Sequence, residues 1–176
     1  KVGLGPIIIE MMERGIITSI AMNGAGIVHD SELAMIGQTS EDVAAELKGG
    51  AFGMGEETGR VLNEAIIDGV KKGYGIGRSV GERLLKEKFP FNDKSILAAG
   101  ARLDIPVTVH VAVGTDIIHM SPHCSGAAIG EGSHTDFRIF SSIVSQLEKG
   151  VYLNVGSAVI LPEVFLKALT LVRNLG

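Results

Sequence analysis

Four of the five histidines and the single cysteine are the side chains that could ligate a metal ion. They are His110, His119, His123, His134 and Cys124. His119 and His123 have the i, i+4 spacing of a zinc-binding helix, but Pro122 and the glycines that follow disfavour a helix there. His110 stands between two valines, which favours a hydrogen-bonded histidine in the core or on a sheet surface. We therefore predict no metal site, and a metal-dependent hydrolase using Asp116, His119 and His123 is kept as an alternative.

Three predicted strands end in loops of small residues, which is a second pattern with chemical meaning. The loops are 23-NGAG-26, 114-GTD-116 and 156-GSA-158. In a parallel sheet such loops emerge at the carboxyl edge, where ligands bind. Small residues let a phosphate or ribose approach the backbone, and helix N-termini favour an anion. None of the loops matches G-x-G-x-x-G. One such loop is most often only a tight turn, whereas three together favour a ligand pocket.

Polar side chains close to these loops are candidates for contacting a substrate. Asp116 and His119 follow the end of a predicted strand, and Glu131 lies in a glycine-rich loop at 126–132. We predict that these three residues orient the substrate of any reaction and form its catalytic group. Asp30 follows another glycine loop, where a helix-capping role and a ligand role are equally plausible. Glu131 could equally be a solvated surface residue.

Helix and strand signals alternate along the chain. The spacing of apolar residues, with Pro, Gly and capping residues at the ends, predicts helices over 6–15, 29–37, 40–47, 55–73, 79–89, 94–104 and 137–150. Strands are predicted over 16–23 and 105–113, and a final strand and helix within 151–169. Asp30, Ser40 and Ser79 are the expected N-caps of three helices. This order predicts one α/β domain over 1–176, a mainly parallel sheet sandwiched by helices. The abrupt termini suggest the ordered part of a longer chain.

The composition excludes several classes of protein. The net charge of −4 provides no basic surface for nucleic acid. No run of apolar residues approaches the roughly 18 that a membrane span requires. One cysteine rules out an internal disulfide and fits a reducing cytoplasm. We therefore expect a cytoplasmic protein with a small-molecule ligand, no nucleic acid and no membrane.

Four segments, in this order, resemble the deoxyhypusine synthase family. They are 23-NGAGIVHD-30, 94-KSILAAGARLDIPVTVHVAVGTD-116, 125-SGAAIGE-131 and 154-NVGSAVILPEVF-165. The resemblance implies a Rossmann-like three-layer fold, NAD bound near subunit interfaces, and a homotetramer. It also implies that the NAD contacts come from the matching loops. These contacts are Asn23, Gly24, Ala25, Gly26, Asp30, Gly114, Gly126, Gly156 and Ser157.

The chain differs from the family at the positions of the catalytic lysine and of a substrate-binding histidine. The synthases carry an imine-forming lysine in a G-G-G-x-x-K-H-H turn, and Leu161 stands at that position here. Leucine has no amine, so the covalent intermediate cannot form. Asp104 also replaces a substrate-binding histidine. The leading hypothesis is a deoxyhypusine synthase-like protein that binds NAD or a related nucleotide and does not make deoxyhypusine. As an enzyme it would be an oxidoreductase or transferase acting on a small amine or alcohol; a non-catalytic nucleotide-binding scaffold is a further alternative.

Overall fold

The computed structural model describes residues 3–39 and 43–176. In the described part, eight α-helices surround two short strands. In chain order these are α1 (Gly5–Glu13), β1 (Ile20–Asn23), α2 (Gly24–Ile36), α3 (Val43–Gly49), α4 (Glu56–Val70), α5 (Ile76–Glu87), α6 (Ile96–Leu103), β2 (Val107–His110), α7 (Gly126–Ser145) and α8 (Ile160–Leu175). Single 3-10 turns lie at Asn92–Lys94 and Ile117–Met120.

The two strands pair in parallel, in a register that runs from Ile20 opposite Val107 to Asn23 opposite His110. Within the described residues this is the whole sheet, and 62% of the chain is helical. The predicted Rossmann-like, three-layer α/β fold is therefore wrong. A two-stranded sheet cannot separate two helix layers, and the helices pack mainly on one another.

The predicted third strand explains most of this difference. Residues 151–155 form no strand, and in the part of the chain that the structure describes none of their backbone amides donates to a backbone carbonyl. Tyr152 stacks on Phe165 of α8 with ring centroids 4.1 Å apart, and its ring meets that of Phe140 of α7 at an angle of 64°. Aromatic packing on two helices holds this segment, and sheet pairing does not.

The core has two parts. The larger cluster joins α1, α2 and α4–α6 to both strands through buried aliphatic side chains such as Ile27, Leu62, Ile76, Leu97 and Val109. The smaller cluster joins α7 to α8 around Phe140, Val144 and Ala168. The first cluster fixes the strands, and the second places α8 beside them.

Several helices begin earlier than predicted. The helix predicted over 29–37 begins at Gly24, because the Asn23 side chain accepts from the Gly26 amide and caps it. The helix predicted over 137–150 begins at Gly126, because Ser125 accepts in the same way from Ala128. Glu131 therefore lies on a helix and not in a flexible loop.

The predicted N-caps fare differently. Ser79 lies inside α5, where its hydroxyl donates to the Gly75 carbonyl, so it does not cap that helix. Ser40 lies outside the described residues. The helices predicted over 6–15, 55–73 and 94–104 are confirmed within a few residues at each end. In the described part of the chain, every helix is too short or too polar to cross a membrane.

Candidate functional site

The carboxyl ends of the two strands bring two of the predicted loops together. β1 ends at Asn23 and α2 begins at the next residue, so the amino terminus of this helix opens at the sheet edge. The Asp116 carboxyl group packs directly on Gly24, and a Cβ at this position would overlap it unless the carboxyl group moved. Asp116 itself is buried. Residues 23–26 and 114–116 therefore form one site, with a carboxylate at the start of a helix.

A tight turn presents Asp116 to that helix. Gly114 has a φ of +94°, which favours glycine, and its amide donates to Nδ1 of His119 over 3.2 Å. Because Nδ1 accepts this bond, a neutral His119 carries its proton on Nε2. The imidazole thus closes the turn through one nitrogen.

Asp30 serves a different helix from the one that contains it. Its buried carboxyl group accepts from the Ser95 hydroxyl at 2.6 Å and from the amides of Ile96 and Leu97 at 2.9 and 3.0 Å. These amides are the first of α6, so Asp30 caps that helix from outside and does not cap its own. Burial raises the pKa of Asp30, although these three hydrogen bonds act in the opposite direction. The geometry accounts for Asp30 as a structural residue that ties α2 to α6.

The remaining predicted contacts lie at the starts of α2, α7 and α8. Ala25 is in the first turn of α2, and Gly126 is the first residue of α7, with Glu131 exposed further along. Gly156 has a φ of +76° in an exposed turn. The Ser157 hydroxyl accepts from the Leu161 amide over 3.2 Å, which holds the first turn of α8.

A cavity of about 350 Å³ opens beyond the end of β2, and the sequence did not indicate it. Its walls come from the strand end, from the amino-terminal half of α7, and from Val164 of α8. His110, Ser133 and His134 are the polar residues that line it, with Gly130 beside them. The feature of the sequence that could have indicated it is the histidine in V-T-V-H-V. A polar residue in a mainly apolar, buried strand needs a hydrogen-bonding partner.

His110 is that buried polar residue, with 3% of its surface exposed. Its Nε2 lies 3.0 Å from the Thr108 hydroxyl, and its ring meets Phe140 edge-on with centroids 5.3 Å apart. Burial lowers the pKa of His110 to about 4, because the imidazolium would lose its hydration. At neutral pH the ring is uncharged.

The metal alternative finds no support in this arrangement. Among residues 3–39 and 43–176, no three His, Cys, Asp or Glu side chains are grouped so that they could hold a metal ion. His119 lies in a 3-10 turn that ends before His123, so the two do not share a helix face. No protein-family model, curated protein or solved structure matches this chain. Residue geometry and the sequence resemblance are therefore what support a function.

Proposed function

We propose that this chain binds NAD or a related nucleotide at the carboxyl ends of β1 and β2. The observation that carries the proposal is the Asp116 carboxyl group packed on Gly24 at the start of α2. In open α/β sheets, nucleotides bind beyond the carboxyl ends of the parallel strands, and β1 and β2 present two such ends side by side. The four segments that resemble the deoxyhypusine synthase family suggest the same class of ligand.

The position of Asp116 defines which part of a nucleotide would bind beside it. A carboxylate already interacts with the positive end of the α2 dipole, so a phosphate at the same point would be repelled. Ribose hydroxyls or an amine would instead donate to Asp116. A ligand of this kind would place its ribose at Asp116 and its phosphates further away.

The proposed reaction, where the protein is an enzyme, is dehydrogenation of a small amine or alcohol. Hydride transfer would be the chemistry of the cofactor, and Asp116 would orient the hydroxyl or amine. Leu161 is buried and has no amine, so we do not propose deoxyhypusine formation. A cytoplasmic location is also proposed, on the ground of the single cysteine.

Titration calorimetry with NAD tests the binding proposal, and Asp116→Asn is the informative variant. It keeps the size of the side chain but removes the charge that strengthens bonds from ligand hydroxyls. We expect the affinity for NAD to fall about tenfold or more, because a hydrogen bond to a charged group is worth roughly 1.5–3 kcal/mol. Asp68→Asn, an exposed carboxylate paired with Lys71, is the control and should bind as wild type. Absence of wild-type binding at millimolar NAD would refute the proposal.

We further propose that the chain forms homo-oligomers through residues 151–155. Val151, Leu153 and Val155 alternate with Tyr152 and Asn154 along this segment, and all three are exposed, Leu153 to 76%. Its backbone groups lack strand partners in the described part of the chain. Antiparallel pairing of two copies about Leu153 would set Val151 opposite Val155, and the segment carries no charge to oppose it. The family resemblance suggests four copies in total.

Sedimentation velocity of Leu153→Lys tests this interface. A charge at the centre of the paired segment should shift the protein to monomers, because lysine on an exposed strand discourages pairing. The free energy of unfolding of the monomer should change little, since the side chain is exposed. Ile16→Lys, which alters an exposed apolar residue elsewhere, should leave the distribution of species unchanged. Identical sedimentation of wild type and Leu153→Lys would contradict the proposal.

A further inference from the structure

The strand that precedes Asp116 does not by itself fix the position of its carboxyl group. Residues 113–115, which link β2 to Asp116, are exposed, and in the described part of the chain their hydrogen bonds run only to Ala112 and His119 of the same loop. The 3-10 turn at Ile117–Met120, here named the 117–120 turn, follows directly. The place of the carboxyl group therefore depends on what holds this turn.

Asn63 of α4 holds the 117–120 turn from the core of the protein. Only 1% of its surface is exposed, and it lies among the apolar side chains on the buried face of α4. Its Nδ2 donates to the Ile118 carbonyl oxygen over 3.0 Å and to the Gly59 carbonyl oxygen over 2.8 Å. The first of these bonds joins residues 55 positions apart, so it ties the turn to a helix that is distant along the chain.

The side chain of asparagine suits this contact because its amide nitrogen supplies two N–H donors at the end of a short side chain. Aspartate has the same shape, but an ionised carboxylate only accepts hydrogen bonds, and serine has a single hydroxyl proton. Both partners of Asn63 are backbone carbonyl oxygens, so both protons of its amide nitrogen are used. A buried carbonyl oxygen that loses its donor costs free energy, which makes the bond to Ile118 a specific restraint on the turn.

The packing around Asn63 also keeps α4 close to the turn. Gly59 lies one helical turn before Asn63, and a Cβ there would come within 3.0 Å of the Ser121 hydroxyl oxygen. The Ile118 side chain is fully buried and belongs to the larger core cluster, to which α4 also contributes. The turn is thus held by a close approach, a buried side chain and the hydrogen bond from Asn63. Of these three, the hydrogen bond is the directional one.

We propose that Asn63 is the positioning residue of the Asp116 site. Its bond to the Ile118 carbonyl oxygen fixes the 117–120 turn, and the fixed turn holds the Asp116 carboxyl group against Gly24 at the start of α2. Asn63 lies too deep to touch a ligand, so its effect on binding passes through Asp116. The consequence for NAD rests on the proposed function, whereas the restraint on the turn does not.

Asn63→Ser is the informative variant, because it removes the bond to the turn and keeps a bond inside the helix. A serine in a helix can donate to the carbonyl oxygen four residues earlier, as Ser79 does to Gly75 over 2.6 Å. The Gly59 carbonyl oxygen therefore keeps a donor in this variant. The Ile118 carbonyl oxygen loses its donor, so the variant tests the contact between α4 and the turn.

Amide hydrogen exchange measured by NMR reports on the turn itself. The His119 amide donates to the Asp116 carbonyl oxygen over 3.1 Å, and this bond closes the turn. We expect its exchange in Asn63→Ser to be about fivefold faster or more, because the turn opens locally without its restraint. Val80→Ala, at a fully buried position on α5, is the control for a general loss of stability. It should leave the exchange of the His119 amide unchanged, since local opening does not require α5 to unfold.

Titration calorimetry with NAD then distinguishes positioning from general damage to the protein. We expect Asn63→Ser to lower the affinity for NAD about fivefold or more, and Val80→Ala to leave it unchanged. Combined with Asp116→Asn, the serine variant should bind about as weakly as Asp116→Asn alone, because both changes remove the same interaction. Losses of affinity that multiply in the double variant would show that Asn63 does not act through Asp116 and would overturn the inference.

The inference and the proposed function can fail separately. NAD binding of wild-type affinity by Asn63→Ser would overturn the inference while the proposed function stands. Absence of NAD binding by wild type would refute the proposed function, and the exchange rates would then decide the inference alone. The wild type supplies a measurement that needs no variant to fold: the side-chain N–H groups of Asn63 should exchange far more slowly than those of the exposed Asn174. Equal rates would overturn the inference.

Discussion

Replacing Gly77 by alanine is expected to lower the free energy of unfolding by about 3 kcal/mol, measured by urea denaturation. A Cβ at this position would overlap the backbone carbonyl oxygen of Val107, in the first residue of β2. A backbone atom in a paired strand cannot rotate away as a side chain can, so α5 would have to move off the sheet. The same movement would pull the Gly77 amide from the Asp136 carboxyl group, which it contacts at 3.0 Å.

The same substitution at Gly130 provides the control. Gly130 is also inside a helix, but no described atom beyond the local helix lies within 4 Å of its would-be Cβ. Gly130→Ala should therefore stabilise the protein by up to about 1 kcal/mol through helix propensity. Of the two variants, only Gly77→Ala places a methyl group against β2. Changes of equal sign and size in the free energy of unfolding would therefore show that α5 does not pack on the strand as described.

The contribution of Asp136 to the stability of the protein is expected to decrease as pH rises from about 4 to about 7. Asp136 is 1% exposed, and its carboxyl group accepts from the amides of Gly77 and Val109. Burial raises the pKa of Asp136 from 3.8 to about 7, against the effect of these bonds. Between these values the folded chain holds a proton that the unfolded chain releases. The resulting stabilisation is fully present below about pH 4 and is lost as pH rises through 7, a change of at most about 4 kcal/mol.

Asp136→Asn isolates this effect, because the amide stays neutral and its oxygen can still accept from Gly77 and Val109. Other groups also make stability depend on pH in this range, and the lowered pKa of His110 acts in the opposite direction. The quantity to compare is therefore the difference in unfolding free energy between wild type and variant at each pH. This difference should change across pH 4–7, because the wild type becomes less stable relative to the variant as pH rises. Asp68→Asn, at an exposed carboxyl group, is the matched control for the loss of one carboxyl group. A pH-independent difference for Asp136→Asn would mean that the buried carboxyl group does not titrate in this range.

Local sequence information determined the helices and the loops at the strand ends. Pro6 near the start of α1, the apolar spacing within α4, and the strand that follows α6 are each properties of neighbouring residues. The expectation that 23–26 and 114–116 lie near each other needed one more rule, that the ends of parallel strands share an edge. These features follow from propensity and from simple geometry, so the chain order was enough to indicate them.

Only the tertiary structure decided which contacts form between residues that are far apart in the sequence. Residues 151–155 have the alternating pattern of a strand. This pattern shows only that one side of the segment is apolar, and it does not identify what the segment packs against. Their Tyr152 is held by Phe165 and Phe140 rather than by a neighbouring strand. Asp30 has the sequence position of a cap for its own helix. Its carboxylate oxygens instead accept hydrogen bonds at the start of α6, from residues 65 to 67 positions further along the chain. The cavity at His110 depends on where α7 and α8 pack. In each case local sequence leaves several partners open, and the packing of distant helices selects one of them.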